Sequence, residues 1–284
     1  MTLKAFLKKY EQIAEKQNLE VEAIRFLVLE LSGLQPHQFY LVLDDTLDEA
    51  LKIKLEQALD AYIYKEIPVQ HLLGYGYFYG HKFIVNKDVL IPRRETEELV
   101  EQVLIYYDTY FKDQVVKTLD LGCGSGCIAV TLSKEESHMQ VTGADISQEA
   151  LVVARQNSEQ LKTDTTFIQS DWFSNIEGQF DIIVANPPYI PAKEEIGRTV
   201  DKEPELALFG GDDGLKFYRI ILEQAKSHLK EKSLLAFEHG YQQKEAIHHL
   251  IKQYFNNSII IQTKDLQDKD RFTFVGLGGV LGNE

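Results

Sequence analysis

The chain has 284 residues, of which 44% are hydrophobic and 26% are charged. This balance is typical of a globular protein, and the length favours two domains. The net charge of −14 argues against a protein that binds mainly through phosphate contacts, because those need clustered Lys and Arg. Residues 1–4 open an amphipathic helix, and no apolar run reaches the roughly 18 residues of a membrane span. We therefore expect a cytoplasmic protein without membrane contact.

The first part of the chain shows the apolar spacing of helices. Between residues 2 and 67, apolar side chains recur at intervals of three and four residues in three stretches. Gly33 is predicted to end the second helix and Pro68 to follow the third. The pattern predicts a small helical bundle that forms a domain of residues 1–70.

A second segment, residues 71–92, has a different composition. Residues 72–80 are rich in glycine and aromatic residues, and the following apolar residues are strand-like. Residues 86–88, Asn-Lys-Asp, are predicted to be the turn of a β-hairpin that joins two domains. The aromatic side chains are expected to pack together rather than to form a binding platform.

From residue 93 to residue 284, strand patterns and helix patterns alternate. The predicted strands are residues 115–121, 140–144, 166–169, 180–185, 233–238, 258–263 and 271–277. The predicted helices are residues 127–133, 148–160, 214–229 and 242–254. This order predicts an α/β domain with a mostly parallel sheet and helices on both faces.

A glycine-rich loop, residues 120–126, separates the first strand of this domain from its first helix. Glycines allow a ligand to approach the backbone closely, and the helix N-terminus supplies free N–H groups. A dinucleotide fingerprint would need its third glycine where Cys127 stands. The spacing D-x-G-x-G-x-G instead resembles the loop of class I (Rossmann-like) methyltransferases, which bind S-adenosylmethionine. The candidate cofactor-binding residues here are Gly122, Cys123, Gly124, Ser125 and Gly126.

Three further side chains follow strands and are candidates for the same site. Asp145 ends the second strand, where a carboxylate can bind both hydroxyl groups of a ribose, or can cap the next helix. Trp172 follows the third strand and is predicted to stack on an adenine ring, with core packing as the alternative. Asp120 either caps its strand or orients the loop or the amino group of the cofactor.

The chain contains two cysteines, Cys123 and Cys127, and both lie in the glycine-rich region. Their spacing and number fit neither a disulfide framework nor a metal site. We expect two free thiols in a reducing compartment and no bound metal.

The buried-type strand 180–185 ends at Asn186, Pro187, Pro188 and Tyr189. Two prolines stiffen this corner and leave carbonyl groups free. The Asn186 side-chain oxygen and the Pro187 carbonyl are predicted to accept both hydrogens of a planar –NH₂ group, and to hold its nitrogen for an in-line methyl transfer. Tyr189 is predicted to stack on the target group. We therefore predict Asn186, Pro187 and Tyr189 as catalytic residues and residues 186–189 as the substrate site; the motif leaves adenine, guanine and glutamine open as targets.

The wider sequence resembles the HemK/PrmC family over roughly residues 1–280. The resemblance is carried by P-V-Q-H-L-L-G at residues 68–74, F-Y-G at 78–80, V-L-I-P-R-R-E-T-E at 89–97, N-P-P-Y-I at 186–190, E-P at 203–204, G-G-D-D-G at 210–214 and E-H-G at 238–240. Members of this family are peptide chain release factor glutamine methyltransferases. They methylate the glutamine of the Gly-Gly-Gln loop of class 1 release factors and leave S-adenosylhomocysteine.

The resemblance implies roles for individual residues. It implies that Gly122 to Gly126, Asp145, Trp172 and Asn186 bind the cofactor, and that residues 186–189 bind the target glutamine. One position departs from the family, because Arg94 stands where the family usually has proline. We expect only a local change in that loop. Arg93, Glu95 and Glu97 are expected either to help cover the cofactor or to form a solvated helix start.

The acidic composition agrees with a protein substrate, and we expect class 1 release factors as partners of a monomeric enzyme without direct nucleic-acid binding. Residues 1–70 are then predicted to hold the release factor, because a single glutamine offers little surface for selection. Two alternatives remain open at this point. One is a methyltransferase for adenine or guanine amino groups, which predicts a basic cleft and salt-sensitive binding. The other is a non-catalytic scaffold that only binds the cofactor.

Overall fold

A computed structural model describes residues 1–282. The chain forms two compact units. The helical unit comprises Met1–Tyr75 together with Ile196–Lys202, and the α/β unit comprises Gly76–Glu195 and the described residues from 203 to 282. Among the described residues, no helix has the length and apolar character needed to cross a membrane.

The helical unit is built on amphipathic helices, as the apolar spacing predicts. Its helices are α1 (Leu3–Lys16), α2 (Val21–Ser32), α3 (Pro36–Leu41), α4 (Glu49–Lys65) and α5 (Val69–Leu73). Their apolar faces form one buried core that includes Phe6, Leu27 and Leu59. Gly33 ends α2 with φ = 69°, a left-handed conformation that glycine adopts without strain. The two short helices α3 and α5 were not predicted, because five or six residues are too few to show a helical period.

A β-hairpin follows within the predicted segment 71–92, but its turn is not at the predicted residues. Its strands are β1 (Tyr75–Phe78) and β2 (His81–Ile84), joined by a two-residue turn at Tyr79 and Gly80. Both turn residues have positive φ, 50° and 74°, which matches the twist of a tight hairpin. The predicted turn at residues 86–88 is wrong as a strand connection, because Asn86 Oδ1 accepts from the Asp88 N–H and forms only a local turn.

The remaining elements alternate as predicted. The strands are β3 (Val116–Leu121), β4 (Met139–Asp145), β5 (Thr166–Gln169), β6 (Phe180–Ala185), β7 (Leu229–Glu238), β8 (Ile259–Lys264) and β9 (Asp270–Leu277). The helices are α6 (Arg94–Tyr110), α7 (Cys127–Glu135), α8 (Gln148–Leu161), α9 (Lys216–His228) and α10 (Lys244–Tyr254). Two single 3₁₀ turns, Val200–Lys202 and Glu205–Ala207, lie between β6 and α9. Helix α6 was anticipated only as a possible helix start near Arg94.

The seven strands form one sheet in the order β5-β4-β3-β6-β7-β9-β8. Strands β3 to β7 pair in parallel, and β9 pairs antiparallel with both β7 and β8. Successive residues of a strand enter opposite cores: Leu234 and Ala236 of β7 lie in one, and Leu235 and Phe237 lie in the other. Both faces of the sheet are therefore covered, as expected for a parallel sheet.

The pairing register brings three strand ends together at one edge of the sheet. Leu121, the last residue of β3, is paired with Ala144 of β4 on one side and with Ala185 of β6 on the other. The chain runs from β3 outward to β5 and then returns to β6, so the strand order reverses beside β3. Ligands of open α/β sheets bind at such a reversal, beyond the carboxyl ends of the strands. The candidate residues that follow these strands consequently meet there.

Candidate active site

The glycine-rich loop leaves β3 in a conformation that requires glycine. Gly122, Gly124 and Gly126 all have positive φ, at 73°, 53° and 77°. The N–H groups of Gly122 and Cys123 donate to the carbonyl of Ala144, at 2.8 and 3.0 Å, and so hold the loop against the end of β4. The loop backbone is thereby open on its other side, where Gly122 and Gly124 line a cleft.

Asp145 closes this loop from the neighbouring strand. Its Oδ2 accepts from the Gly124 N–H at 2.8 Å, and its Oδ1 accepts from the Ser147 N–H at 2.9 Å. Burial raises the pKa of Asp145, and these backbone hydrogen bonds act in the opposite direction. A carboxylate has about four lone-pair positions, so both oxygens keep acceptor capacity for a ligand. The predicted helix-end role and a ligand-binding role are therefore compatible at this residue.

The cleft contains six of the predicted site residues. These are Gly122, Gly124, Asp145, Trp172, Asn186 and Pro188. Cys123, Ser125 and Gly126 do not line it. Cys123 packs in a small core, and the Ser125 carbonyl accepts from Asn157. Gly126 precedes α7, where an added Cβ would lie 3.0 Å from the Ala154 Cβ. These three residues therefore support the loop on the side that does not line the cleft.

Trp172 lies at the cleft with an uncommon backbone conformation. Its φ is 51°, and its ring packs on Phe217 with the centroids 4.9 Å apart. Both aromatic residues line the cleft, so packing and ligand contact do not exclude each other here. A flat apolar wall of this kind suits a heteroaromatic ring.

Asp120 is buried beneath the loop and does not line the cleft. Its Oδ2 accepts from the Ala129 N–H of α7 at 3.1 Å, while its Oδ1 is buried without a partner among the described residues. Burial raises the pKa of Asp120 to about 7, and the bond from Ala129 only partly opposes this. Asp120 therefore anchors the first turn of α7 to the end of β3.

Asn186 lies where β6 ends and joins a buried polar network. Its Nδ2 donates to Thr96 Oγ1 at 3.1 Å, and Thr96 Oγ1 donates to Glu238 Oε2 at 2.7 Å. Burial raises the pKa of Glu238 to about 7. Thr96 and Glu238 belong to motifs noted in the sequence, yet nothing in the sequence assigns either to this site.

The three residues after Asn186 differ in their exposure. Pro187 is buried, whereas Pro188 is half-buried and lines the cleft. Tyr189 is half-buried, packs against a core cluster and is not part of the cleft lining. Burial raises the pKa of Tyr189 well above its ordinary range. Its carbonyl accepts from Gln243 Nε2 at 2.9 Å, which holds the backbone of the corner in place.

The charged residues near α6 have structural partners. Arg93 Nη2 donates to Glu203 Oε1 at 2.5 Å, and the Ile91 N–H donates to Glu203 Oε2 at 2.9 Å. Glu97 Oε1 accepts from the Tyr79 N–H at 2.9 Å. Arg93, Glu95 and Glu97 do not line the cleft. The departure from the family at Arg94 falls on the first residue of α6, where the helix begins without interruption.

Several cleft residues were not predicted. The apolar ones include Val89, Leu90, Ile146, Leu206 and Phe217, and the acidic ones include Asp88 and Asp171. Asp171 was visible as a residue beyond a strand end. Phe217 lies in α9 and Leu206 in a 3₁₀ turn, and the other four residues lie in connecting segments. Apolar walls with a few carboxylates fit S-adenosylmethionine, which combines a purine, ribose hydroxyls and two cationic groups. Gly122, Gly124, Asp145 and Trp172 are the residues that would hold it.

The described residues contain no cluster of side chains with the spacing of a metal site. Cys123 and Cys127 are free thiols, as predicted. Burial raises the pKa of Cys127 to about 12, so this thiol stays protonated at neutral pH. Neither cysteine is poised to act as a nucleophile.

Comparison with known proteins gives the fold and the family of the chain. The family model "Methyltransferase small domain" matches residues 105–202. A release factor glutamine methyltransferase of Bacillus cereus is 39% identical over 235 residues, which cover 80% of this chain and 83% of that protein. One from Francisella tularensis is 39% identical over 278 residues, which cover 96% and 95%. A crystal structure of a methyltransferase from Pyrococcus furiosus, 15% identical, has a TM-score of 0.51 over 81% of this chain and 98% of that chain, and supports the fold alone. The chain belongs to the release factor glutamine methyltransferase family.

Proposed function

We propose that this enzyme transfers a methyl group from S-adenosylmethionine to the side-chain amide nitrogen of the glutamine in the Gly-Gly-Gln loop of class 1 release factors. The observation that supports this most directly is the position of Asn186. Its side chain lines the same cleft as Gly122 and Asp145 and keeps its amide NH₂ in a buried network. Its oxygen is thereby left to accept a hydrogen bond from a substrate.

The corner at Asn186 suits a planar amide better than a more basic nitrogen. An amide nitrogen is a weak nucleophile because its lone pair is delocalised into the carbonyl. The Asn186 oxygen and the Pro187 carbonyl would accept both N–H groups, fix the rotation of the amide and favour positive charge on its nitrogen. S-adenosylmethionine, when bound, supplies an electrophilic methyl group on a sulfonium sulfur. No side chain needs to remove a proton before transfer. The N–CH₃ bond would form as the S–CH₃ bond breaks, and the cationic amide, which is strongly acidic, would then lose one N–H proton to water.

The helical unit is proposed to dock the body of the release factor. Its surface carries large exposed apolar side chains, among them Tyr40, Leu41 and Tyr64, at 68%, 81% and 62% exposure. Aromatic side chains such as tyrosine are enriched in protein interfaces and among their anchor residues, and neighbouring apolar residues help to exclude water from them. We further propose that the enzyme works in the cytoplasm as a monomer without direct nucleic-acid contact, which the acidic composition supports.

The test is mass spectrometry of purified release factor after incubation with the enzyme and S-adenosylmethionine. A mass gain of one methylene group on the loop glutamine is expected. A release factor in which that glutamine is replaced by asparagine is the matched control and should gain nothing. An unmodified glutamine, or salt-sensitive nucleic-acid binding with methylation of a base, would refute the assignment.

A further inference from the structure

A buried polar network connects the cleft to two strands and a helix. Thr96 of α6 and Glu238 at the end of β7 are 3% and 2% exposed, and Asn186 lies between them and the cleft. The network runs from Asn186 Nδ2 to Thr96 Oγ1 at 3.1 Å, and from Thr96 Oγ1 to Glu238 Oε2 at 2.7 Å. Buried polar groups that are joined in this way have few alternative arrangements.

The donors and acceptors of Glu238, Thr96 and Asn186 determine which group donates in each hydrogen bond of the network. An ionised carboxylate only accepts, so the single O–H of Thr96 must donate to Glu238. The Thr96 oxygen is then left as an acceptor, and only the NH₂ end of the Asn186 amide can satisfy it. Asn186 Oδ1 accepts no hydrogen bond from residues 1–282. The amide oxygen is thus turned to the cleft side.

We propose that Thr96 and Glu238 are positioning residues that set the orientation of the Asn186 amide, so that an acceptor rather than a donor faces the substrate. The proposal rests on the proposed function, in which Asn186 accepts from the target –NH₂ group. If the Asn186 amide were rotated by 180°, its NH₂ group would face the N–H groups of the substrate. Both sides would then be hydrogen-bond donors, and no hydrogen bond could form. Neither residue needs to touch the substrate to have this effect.

Glu238 can enforce this orientation only while it is ionised. Once protonated, it can donate to Thr96, whose own O–H is then free to donate to the Asn186 oxygen, and both amide orientations become possible. Burial raises the pKa of Glu238 to about 7, against the lowering effects of Thr96, Arg271 and Asn186. The charged and titratable groups that interact electrostatically with Glu238 come from several elements. They are Arg271, Glu95, Tyr189, Tyr218 and Cys127.

The first test measures the amide itself and needs neither substrate nor cofactor. The Asn186 side-chain ¹⁵N and ¹H resonances are assigned by comparison with Asn186→Asp and followed from pH 5.5 to 8.5. We expect a titration step with a midpoint near pH 7. Glu238→Gln should remove this step, and Glu101→Gln, an exposed residue on the same helix as Thr96, should leave it in place.

The second test measures methyl transfer to the release factor. Thr96→Val should lower kcat by roughly 10- to 100-fold, the range expected when a buried polar group loses its hydrogen-bond partner, with the KM for S-adenosylmethionine within about twofold. Thr96→Ser keeps the hydroxyl and should restore kcat to within about threefold of the original. Below pH 7 the kcat of the unaltered enzyme should fall, and Glu238→Gln should have a low kcat that no longer depends on pH in this range. A role confined to packing would not produce the serine rescue or the change in the pH profile.

Two outcomes would overturn the inference. One is an Asn186 resonance that does not respond to pH or to Glu238→Gln. The other is a Thr96→Val enzyme that folds and transfers methyl groups at the original rate. Failure of the unaltered enzyme to methylate release factor would refute the proposed function instead, since the resonance measurement on the free protein does not depend on it.

Discussion

The Gly124 N–H donates to Asp145 Oδ2 at 2.8 Å, across the ends of two neighbouring parallel strands. This bond fixes the glycine-rich loop at Gly124, its central glycine, and places a carboxylate at the same point. The loop and the acid were predicted as separate features of one cofactor site. Their direct contact means that a change at Asp145 alters both the charge of the cleft and the shape of the loop.

Asp145→Ala is therefore expected to weaken S-adenosylmethionine binding by roughly 10- to 100-fold, because charge-assisted hydrogen bonds contribute about 1.5–3 kcal/mol each. Titration calorimetry measures the change. The affinity of Asp145→Asn should lie between those of Asp145→Ala and the original protein, since the amide oxygen can still accept from the Gly124 N–H. Asp164→Ala, an exposed acid in the loop before β5, is the control and should bind like the original protein. Equal affinity in Asp145→Ala would exclude the proposed role.

Asn186→Ala should strongly reduce methyl transfer while leaving the binding of S-adenosylmethionine nearly unchanged. Removing the amide leaves Gly122, Gly124 and Asp145 in place, so the affinity for S-adenosylmethionine should change by less than about threefold. Transfer to the release factor should fall by roughly 100-fold or more, because the acceptor for the substrate N–H is gone. Calorimetry and single-turnover transfer measure the two quantities. A variant that loses both equally would indicate a cofactor role instead.

Gly214→Ala tests whether the corner at Tyr189 depends on close backbone packing. A Cβ at Gly214 would lie 2.2 Å from the Tyr189 carbonyl oxygen, and φ there is 72°. Gly178 has a similar φ of 85° with no atom within 4 Å of its Cβ position. Gly178→Ala should cost about 1 kcal/mol of unfolding free energy from backbone strain alone. Gly214→Ala should cost roughly 3 kcal/mol, from strain and displacement of Tyr189 together, and should also reduce transfer.

Chemical denaturation measures the unfolding free energy of both glycine variants. The difference between their losses gives the cost of the contact between the added Cβ at Gly214 and the Tyr189 carbonyl. Equal losses of stability would mean that the corner adapts freely, and the segment would then not be rigid enough to hold a substrate amide.

The buried Asp120 should make stability depend on pH in an unusual direction. Its pKa is raised from 3.8 to about 7 in the folded protein, so the folded state binds the proton more tightly. The resulting stability is fully present below pH 3.8 and is lost as the pH rises through about 7. Asp120→Asn cannot titrate. From pH 5 to pH 8, the unaltered protein should therefore lose on the order of 2–3 kcal/mol more unfolding free energy than the variant does.

Denaturation curves of the unaltered protein and of Asp120→Asn at pH 5 and pH 8 measure this change in unfolding free energy. Glu238 also has a raised pKa, but it is present in both proteins and cancels in the comparison. The absolute stability of Asp120→Asn is less informative than its pH dependence, because the buried NH₂ group of the new side chain lowers stability at every pH. A parallel pH dependence in the two proteins would show that Asp120 is ionised in the folded state throughout.

Leu41→Lys tests the docking surface of the helical unit. Leu41 is 81% exposed, so the change should not affect folding. We expect the KM for the intact release factor to rise roughly 3- to 10-fold, as for loss of an interface anchor, without a change in kcat. A short peptide that carries the loop glutamine should react as before. Leu266→Lys, at a residue that is 91% exposed in the α/β unit, is the matched control.

Much of the α/β fold could be predicted because its signals are local. The run from Phe180 to Ala185 is apolar throughout and forms β6 with all six residues buried. The glycine spacing at Gly122 to Gly126 likewise reflects a backbone that must turn with positive φ. The turn of the hairpin was placed incorrectly because Asn86 gives a strong turn signal, whereas Tyr79 adopts its positive φ only when the flanking strands pair. Helix α6 was missed as a complete element, since the prediction stopped at its charged first turn.

The sequence by itself determined the class of fold, the glycine-rich loop, and the Asn-Pro-Pro-Tyr corner, because each depends on residues that are neighbours along the chain. Only the tertiary structure decided which side chains share the site. Thr96 and Glu238 are separated by 142 positions and meet through a hydrogen bond that no local pattern encodes. Cys123, Ser125 and Gly126 lie in the loop but face away from the cleft, because the sheet register and the packing of α8 select which side of the loop stays open.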